Sequence, residues 1–197
     1  MEGLEKRLAA DLPIEHLASV ASFFISRVDV VMDEKIAELA LSKGHEASAA
    51  SALRGQIAIA NASMAYACYL DLLKSERWHH LAAEGAQPQR LLWASTGTKN
   101  PEYRDTLYVE KLSAAGTVNT MPQKTMDAFR EHGQISGVLS DEVEEADAIL
   151  READGLGLDL PSATRRLADE ALAAFSTSFD NLLRTLEAKR AEIYPAE

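Results

Sequence analysis

Apolar positions along this chain follow a helical rhythm for most of its length, broken by three short runs that suit strands. Leu17–Val28 is nearly continuous in apolar residues, the pattern of a strand buried on both faces. Leu91–Ala94 is a second run, preceded by Arg90, and Thr117–Asn119 is a short third. Between and beyond them the spacing turns helical. Met1–Asp11 carries Leu4 and Leu8 one turn apart until Pro13 interrupts, and Asp33–Leu41 places Ile36, Leu39 and Ala40 on one side. Ala47–Leu73 spaces Leu53, Ile57, Ala60, Met64 and Ala67 as a buried stripe, with Gly55 marking a close helix contact or a break between two helices. Arg77–Ala83 reads as a turn or two of helix ending at Gly85, Asn100–Thr106 as a loop, and Leu107–Leu112 fits helix or strand equally. Pro122 falls in a helical first turn with Thr120 near the cap, and Gly133 ends that helix after His132. Ser140 is an N-cap candidate followed by Asp141, Glu142, Glu144 and Glu145, where negative charge favours a helix start. That helix ends near Gly155. After Pro161, the residues Leu167, Ala171, Phe175, Phe179, Leu182 and Leu186 form a last apolar stripe.

Strand-like runs that end in polar groups and lead into helices predict an α/β chain, mostly helical, with about three short parallel strands. This is the grammar of a (β/α)8 barrel or of part of one. The 197 residues form a single domain, 1–197, but fall short of the ~250 of an ordinary barrel. The 47% hydrophobic content supports a real core. A balance of 20 Lys+Arg against 31 Asp+Glu gives a net charge of −11 without any basic block. That argues against nonspecific binding to nucleic acid or to an acidic membrane surface. The N-terminus has no apolar signal core, and no run approaches the ~18 apolar residues of a span, so a cytoplasmic protein is expected. Cys68, the one cysteine, lies in an apolar-rich helical pattern and reads as a buried thiol.

The densest candidate chemistry is Arg90-Leu-Leu-Trp-Ala-Ser-Thr-Gly-Thr-Lys-Asn-Pro101. Hydroxyls, backbone N–H groups and a cation meet here at the end of a buried strand. Ser95 and Lys99 therefore suit an anionic ligand such as a phosphate, although Ser, Thr and Gly are also ordinary turn residues. On spacing alone Arg27 reads as an ion-pair partner of Asp29 or Asp33. Strand alternation points Ser22, Phe24 and Ser26 to one side. Phe24 there serves either as a wall for a substrate chain or as core packing, and Ser22 as a contact or a small filler. Asn119 and Thr120 end the third strand with side chains able to bond a ligand's hydroxyl, although a helix cap explains Thr120 as well. His79 and His80 are adjacent, about 100° apart on a helix, so they share no metal site, and no other cluster has ligand spacing. No metal is expected.

Val20-Ala-Ser-Phe-Phe-Ile-Ser-Arg-Val-Asp29, Gly55-Gln-Ile-Ala-Ile-Ala-Asn-Ala62, Arg90–Pro101, Thr106-Leu-Tyr-Val109 and Gly116-Thr-Val-Asn-Thr-Met-Pro122 together resemble bacterial transaldolases. The likeness is to the longer type, found alone or fused to a glucose-6-phosphate isomerase domain. The resemblance implies a TIM barrel that transfers a dihydroxyacetone unit between sugar phosphates of the pentose phosphate pathway. Fructose 6-phosphate, sedoheptulose 7-phosphate, erythrose 4-phosphate and glyceraldehyde 3-phosphate are the substrates it implies. The donor ketose is held as a Schiff base on a strand lysine, with no cofactor. The matched segments resemble barrel strands six to eight and the terminal helices, that is, the C-terminal half. The resemblance carries phosphate contacts to Ser22, Arg27, Ser95 and Lys99, and the Ser-Thr-Gly-Thr-Lys loop is longer than the form in some relatives. The lysine strand and the strands bearing the family's catalytic Asp and Glu precede the matched region. The expectation is thus a chain with phosphate-binding groups but no catalytic residue, inactive alone. Its expected partner is a missing N-terminal half or a fused isomerase domain. The alternative is a non-catalytic fragment that binds sugar phosphate or only completes a barrel.

Overall fold

The computed structural model describes residues 1–41, 44–135, 137, 139 and 143–194. Two compact units, Met1–Leu158 and Asp159–Glu197, make up the chain. The first unit opens with α1 (Glu2–Leu8), β1 (Val20–Phe24), α2 (Ile25–Ala40), α3 (His45–Ala52), α4 (Ile57–Lys74) and α5 (Glu76–Ala83). It continues with β2 (Arg90–Ala94), α6 (Leu107–Lys111), β3 (Val118–Asn119), α7 (Gln123–His132) and α8 (Val143–Gly155). The second unit is the single helix α9 (Leu160–Ile193), begun by Asp159, whose carboxylate accepts the Ser162 N–H at 3.0 Å, with Pro161 in the first turn.

The strands form one parallel sheet in the order β1-β2-β3, so chain neighbours are also sheet neighbours. Ser22 registers with Leu92 and Phe24 with Ala94, while Leu92 pairs Val118 and Trp93 pairs Asn119. The α/β expectation of a mostly helical chain with three short parallel strands therefore holds.

The first strand is shorter than Leu17–Val28. It stops at Phe24, which is extended (φ −87°, ψ 113°) and is itself the N-cap of α2. Ile25, Val28, Met32 and Ile36 are buried along one side of that helix. A helical apolar face that follows directly on a strand extends the apolar run, and periodicity alone cannot split the two. Ser26 consequently sits on a helix and does not share a strand face with Ser22 and Phe24.

Gly55 separates α3 from α4 with φ +71°, a conformation glycine adopts at little cost. α4 packs on α2 and α8, largely through small residues: Ala58, Ala60 and Ala62 on its own surface, and Ala146 and Ala153 on α8, are all buried. Leu107–Leu112 resolves as helix. Cys68 is exposed, contrary to the buried thiol expected. α4 is apolar nearly all round, so its sequence does not say which side faces water. The α7 N-cap is Pro122, and Thr120 instead bonds back to β2: its N–H and hydroxyl both donate to the Trp93 carbonyl, at 2.9 and 3.1 Å. Ser140, Asp141 and Glu142 lie outside the described residues; Glu144 and Glu145 occupy the first turn of α8.

Candidate functional site

Parallel strands bring their C-terminal ends together, and in α/β proteins that end is where ligands bind. Phe24 pairs Ala94 at the last registered position, so the next residues of each chain segment, Ile25-Ser26 and Ser95-Thr96, meet. The Ser26 N–H donates to the Ser95 carbonyl at 3.1 Å, and the two hydroxyls are 2.7 Å apart. Ser26 is fully buried, while Ser95 is partly open and held at φ +58°, a conformation uncommon for a residue with a side chain. Thr96, also fully buried, donates its hydroxyl to the Thr120 carbonyl at 2.7 Å, 3.0 Å from Asn119 Oδ1, which ties the ends of β2 and β3. Gly97 follows, 3.1 Å from the Thr125 hydroxyl by the position a Cβ would take.

Two helices begin at this end without a side-chain cap: α2 at Ile25 and α7 at Gln123. An uncapped N-terminus presents N–H groups and the positive end of the helix dipole to an anion. Arg27 lies in the first turn of α2, with its guanidinium carbon 4.7 Å from the centre of the Phe24 ring. The ion pair with Asp29 or Asp33 that spacing suggests does not form, because both carboxylates are engaged elsewhere. Asp29 accepts the Ala58 N–H at 2.9 Å and the Tyr108 hydroxyl at 2.7 Å. Burial pushes its carboxyl up to about 6, against the pull of those two donors and with help from the nearby charge of Asp33. Asp33 accepts from Tyr103.

Of the residues the sequence singles out, Ser95 and Arg27 stand at the sheet end, and Lys99 is exposed in the loop beyond Ser95. Ser22 is exposed, two residues back along β1, on the same face as Phe24. Asn119 registers with Trp93 and so lies on the opposite face from Phe24; the strand pattern does not bring those two together. Ser26 is the residue that sequence reasoning placed without a role. Its signal was there: it opens the helical spacing of Ile25, Val28 and Met32, which puts a hydroxyl in a helical first turn. Among the described residues no group of three His, Cys, Asp or Glu side chains is arranged to hold a metal, and no helix is long and apolar enough to cross a membrane.

A sequence model of the transaldolase/fructose-6-phosphate aldolase family matches residues 5–186. A transaldolase of Parafrankia sp. (strain EAN1pec) is 46% identical over 187 residues, which cover 94% of this chain and 49% of that protein. Transaldolases of Mycolicibacterium smegmatis and Thermobifida fusca are each 44% identical over 184 residues, 93% of this chain and 48% of theirs. The chain spans about half the length of the curated relatives it matches.

Proposed function

Because the chain belongs to the transaldolase/fructose-6-phosphate aldolase family, we propose that the end of its sheet binds the phosphate of a sugar phosphate. The observation that carries this is the Ser26–Ser95 hydroxyl pair, 2.7 Å apart beside the uncapped start of α2 and next to Arg27. Hydroxyls, helix N–H groups and a guanidinium are the donor set that phosphate oxygens require. Ser95 and Arg27 supply the nearest groups, Lys99 an exposed charge from the loop, and Ser22 and Phe24 the adjoining strand face. Asn119 acts through Thr96 at the end of β3.

In this reading the chain is the C-terminal half of a (β/α)8 barrel, its strands corresponding to barrel strands six to eight. It works in the cytoplasm, in transfer of a dihydroxyacetone unit between sugar phosphates. The Schiff-base lysine belongs to the part of the relatives' length that this chain does not span. Two features support that. Among the described residues every lysine lies on a helix or in a loop and none on a strand. A lysine outside the desolvated pocket of a barrel strand lacks what makes an amine a nucleophile. In addition, the outer edges of β1 and β3 have no ladder partner among the described residues, which is where further barrel strands would add.

Titration of the labelled chain with fructose 6-phosphate and with fructose tests the phosphate site. The amides of Ser26, Arg27 and Ser95 should shift with the phosphorylated sugar only, and Arg27→Ala should weaken that binding about tenfold or more. Equal response to both sugars would remove the phosphate assignment. Borohydride added with fructose 6-phosphate should leave the intact mass of the chain unchanged; a stoichiometric adduct would place the nucleophile here. Co-expression with the remaining half of the Parafrankia relative should yield a soluble one-to-one complex, and a chain that ignores that half would argue against the barrel reading.

A further inference from the structure

The outer part of the segment between β2 and α6, from Asn100 to Thr106, is tied down by side-chain bonds at most of its positions. Asn100 Nδ2 lies 3.4 Å from Asp33 Oδ2 and its own Oδ1 accepts the Glu102 N–H at 3.0 Å. Glu102 pairs with Arg54 at 3.1 Å. The Tyr103 hydroxyl is 2.7 Å from both oxygens of Asp33. Arg104 pairs with Glu110 at 2.9 Å and donates to the His132 carbonyl at 2.7 Å. A loop that only had to connect two elements would not carry the ordering entropy of so many fixed side chains.

Tyr103 is the best built of these ties. Its ring lies over Gly55, where a Cβ would come within 3.0 Å of the ring carbons, so the backbone there leaves room for it. Burial, then the bond to Asp33, raises the phenol above its ordinary range, which keeps it protonated and able to donate. Asp33 stands on α2 seven residues, two turns, beyond Ser26. One helix thus holds both ends of the same loop: Ser26 binds Ser95 at the sheet, and Asp33 binds Tyr103 further out. Thr98 and Lys99 are suspended between the two.

We propose that Asp33 and Tyr103 form a latch that fixes the loop along α2 and so sets how tightly the sheet end holds an anion. Both are positioning residues, and the proposal rests on the phosphate reading above. Without the latch, Thr98 and Lys99 sample many arrangements, and each anion bound must first order them.

The test is a titration of the labelled chain with inorganic phosphate, read at the Ser26, Arg27 and Ser95–Lys99 amides, together with amide exchange of the unliganded protein. Tyr103→Phe and Asp33→Ala should each weaken phosphate about fivefold and speed exchange across residues 96–104 about tenfold. Asp33→Asn keeps an oxygen that accepts the phenol and should stay within about twofold of the parent. Tyr108→Phe is the control: it loses a bond of the same kind, to Asp29, without releasing the outer loop, and should leave phosphate affinity unchanged. Equal affinity losses in Tyr103→Phe and Tyr108→Phe, or none in Tyr103→Phe, would overturn the latch. If the parent binds no phosphate, the phosphate reading falls, and exchange decides alone. Acceleration confined to 96–104 then keeps the latch as a device that orders the loop, whereas acceleration spread over the chain discards it.

Discussion

The chain leaves β1 and β2 at the same end of the sheet by opposite means. At β1 no loop exists: Phe24 is at once the last strand residue and the N-cap of α2. At β2, Ser95–Thr106 intervene before α6 begins. The first connection is fixed by covalent continuity and by the buried apolar side of α2. The second is fixed by side-chain bonds, to Asp33 on α2 and Arg54 before α4, both far away in sequence, and to Glu110 on the α6 that follows. The proposed anion site thus has one wall set by the chain's own continuity and one set by a few replaceable contacts. The difference makes the two walls separately testable, since the second can be loosened one bond at a time.

The largest effect should come from Tyr108→Phe. Tyr108 is fully buried and its hydroxyl donates to Asp29 at 2.7 Å, so removing it leaves a buried carboxylate one donor short. Loss of a hydrogen bond to a charged group costs about 2–3 kcal/mol, read as a lower denaturation midpoint at pH 7. The pH dependence carries the signature. Asp29 is raised from its ordinary 3.8 to about 6 in the fold, so between those values the folded chain holds a proton the unfolded chain releases. Stability is therefore highest at and below about pH 4 as far as this group is concerned, and it falls by about 3 kcal/mol as pH rises to 6 and beyond. Tyr108→Phe removes a donor that favours the ionised form, raising the carboxyl further and carrying the fall to higher pH. Asp29→Asn should flatten it. A parent whose stability rises between pH 4 and 6, once other carboxylates are allowed for with the Asn variant, would mean that Asp29 is not desolvated as described.

The two connections also differ in how far the sequence reveals them. The end of β2 is legible because a short apolar run, Leu91–Ala94, gives way at once to Ser95-Thr-Gly-Thr-Lys99, a change of composition that requires no long-range knowledge. The end of β1 is hidden. Ile25, Val28 and Met32 keep the segment apolar after Phe24, and a helix buried on one side prolongs the pattern of a strand buried on two. The error passes to chemistry: with a strand assumed through Val28, Ser26 falls on the wrong element. The bonds that hold the second loop are illegible for another reason. Asp33 and Tyr103 are 70 residues apart, and Asp29 and Tyr108, which anchor α6 just after the loop, are 79 apart, so no local pattern pairs them. Asp29 and Asp33, one turn apart on α2 and both beside its buried side, are the hint. The side of α4 that carries Cys68 is unreadable because apolar residues surround the whole helix.

A smaller effect should follow from Gly55→Ala, which presses on the second connection from beneath. At φ +71° a Cβ is strained in any case, and this one would meet the Tyr103 ring at 3.0 Å. Left-handed strain and a shifted ring together should cost about 1–2 kcal/mol. Urea denaturation followed by the tyrosine and tryptophan signal measures this cost. If Tyr103→Phe is already present, part of the cost should vanish, because the ring is then free to move aside. Simple addition of the two costs would show that the ring position and the hydroxyl bond are independent.

The smallest effect tests whether the two connections act as one unit where they touch. Ser26 and Ser95 are the contact: hydroxyls 2.7 Å apart, with the Ser26 N–H donating to the Ser95 carbonyl besides. Replacing either serine with Ala removes the hydroxyl bond but leaves the backbone bond, so each single change should cost only about 1 kcal/mol. Ser26→Ala should cost more than Ser95→Ala, since Ser26 is fully buried while Ser95 has access to water as a substitute partner. In the double variant the bond can be lost only once. The two costs should therefore fail to add by about 0.5–1 kcal/mol, the coupling of neighbouring groups in a shared hydrogen bond. A coupling near zero would mean that the hydroxyls sit side by side without holding each other. The fixed wall at β1 and the tethered wall at β2 would then be joined by backbone alone, and the proposed anion site would owe its shape to α2 and the Asp33–Tyr103 bond more than to the serines between them.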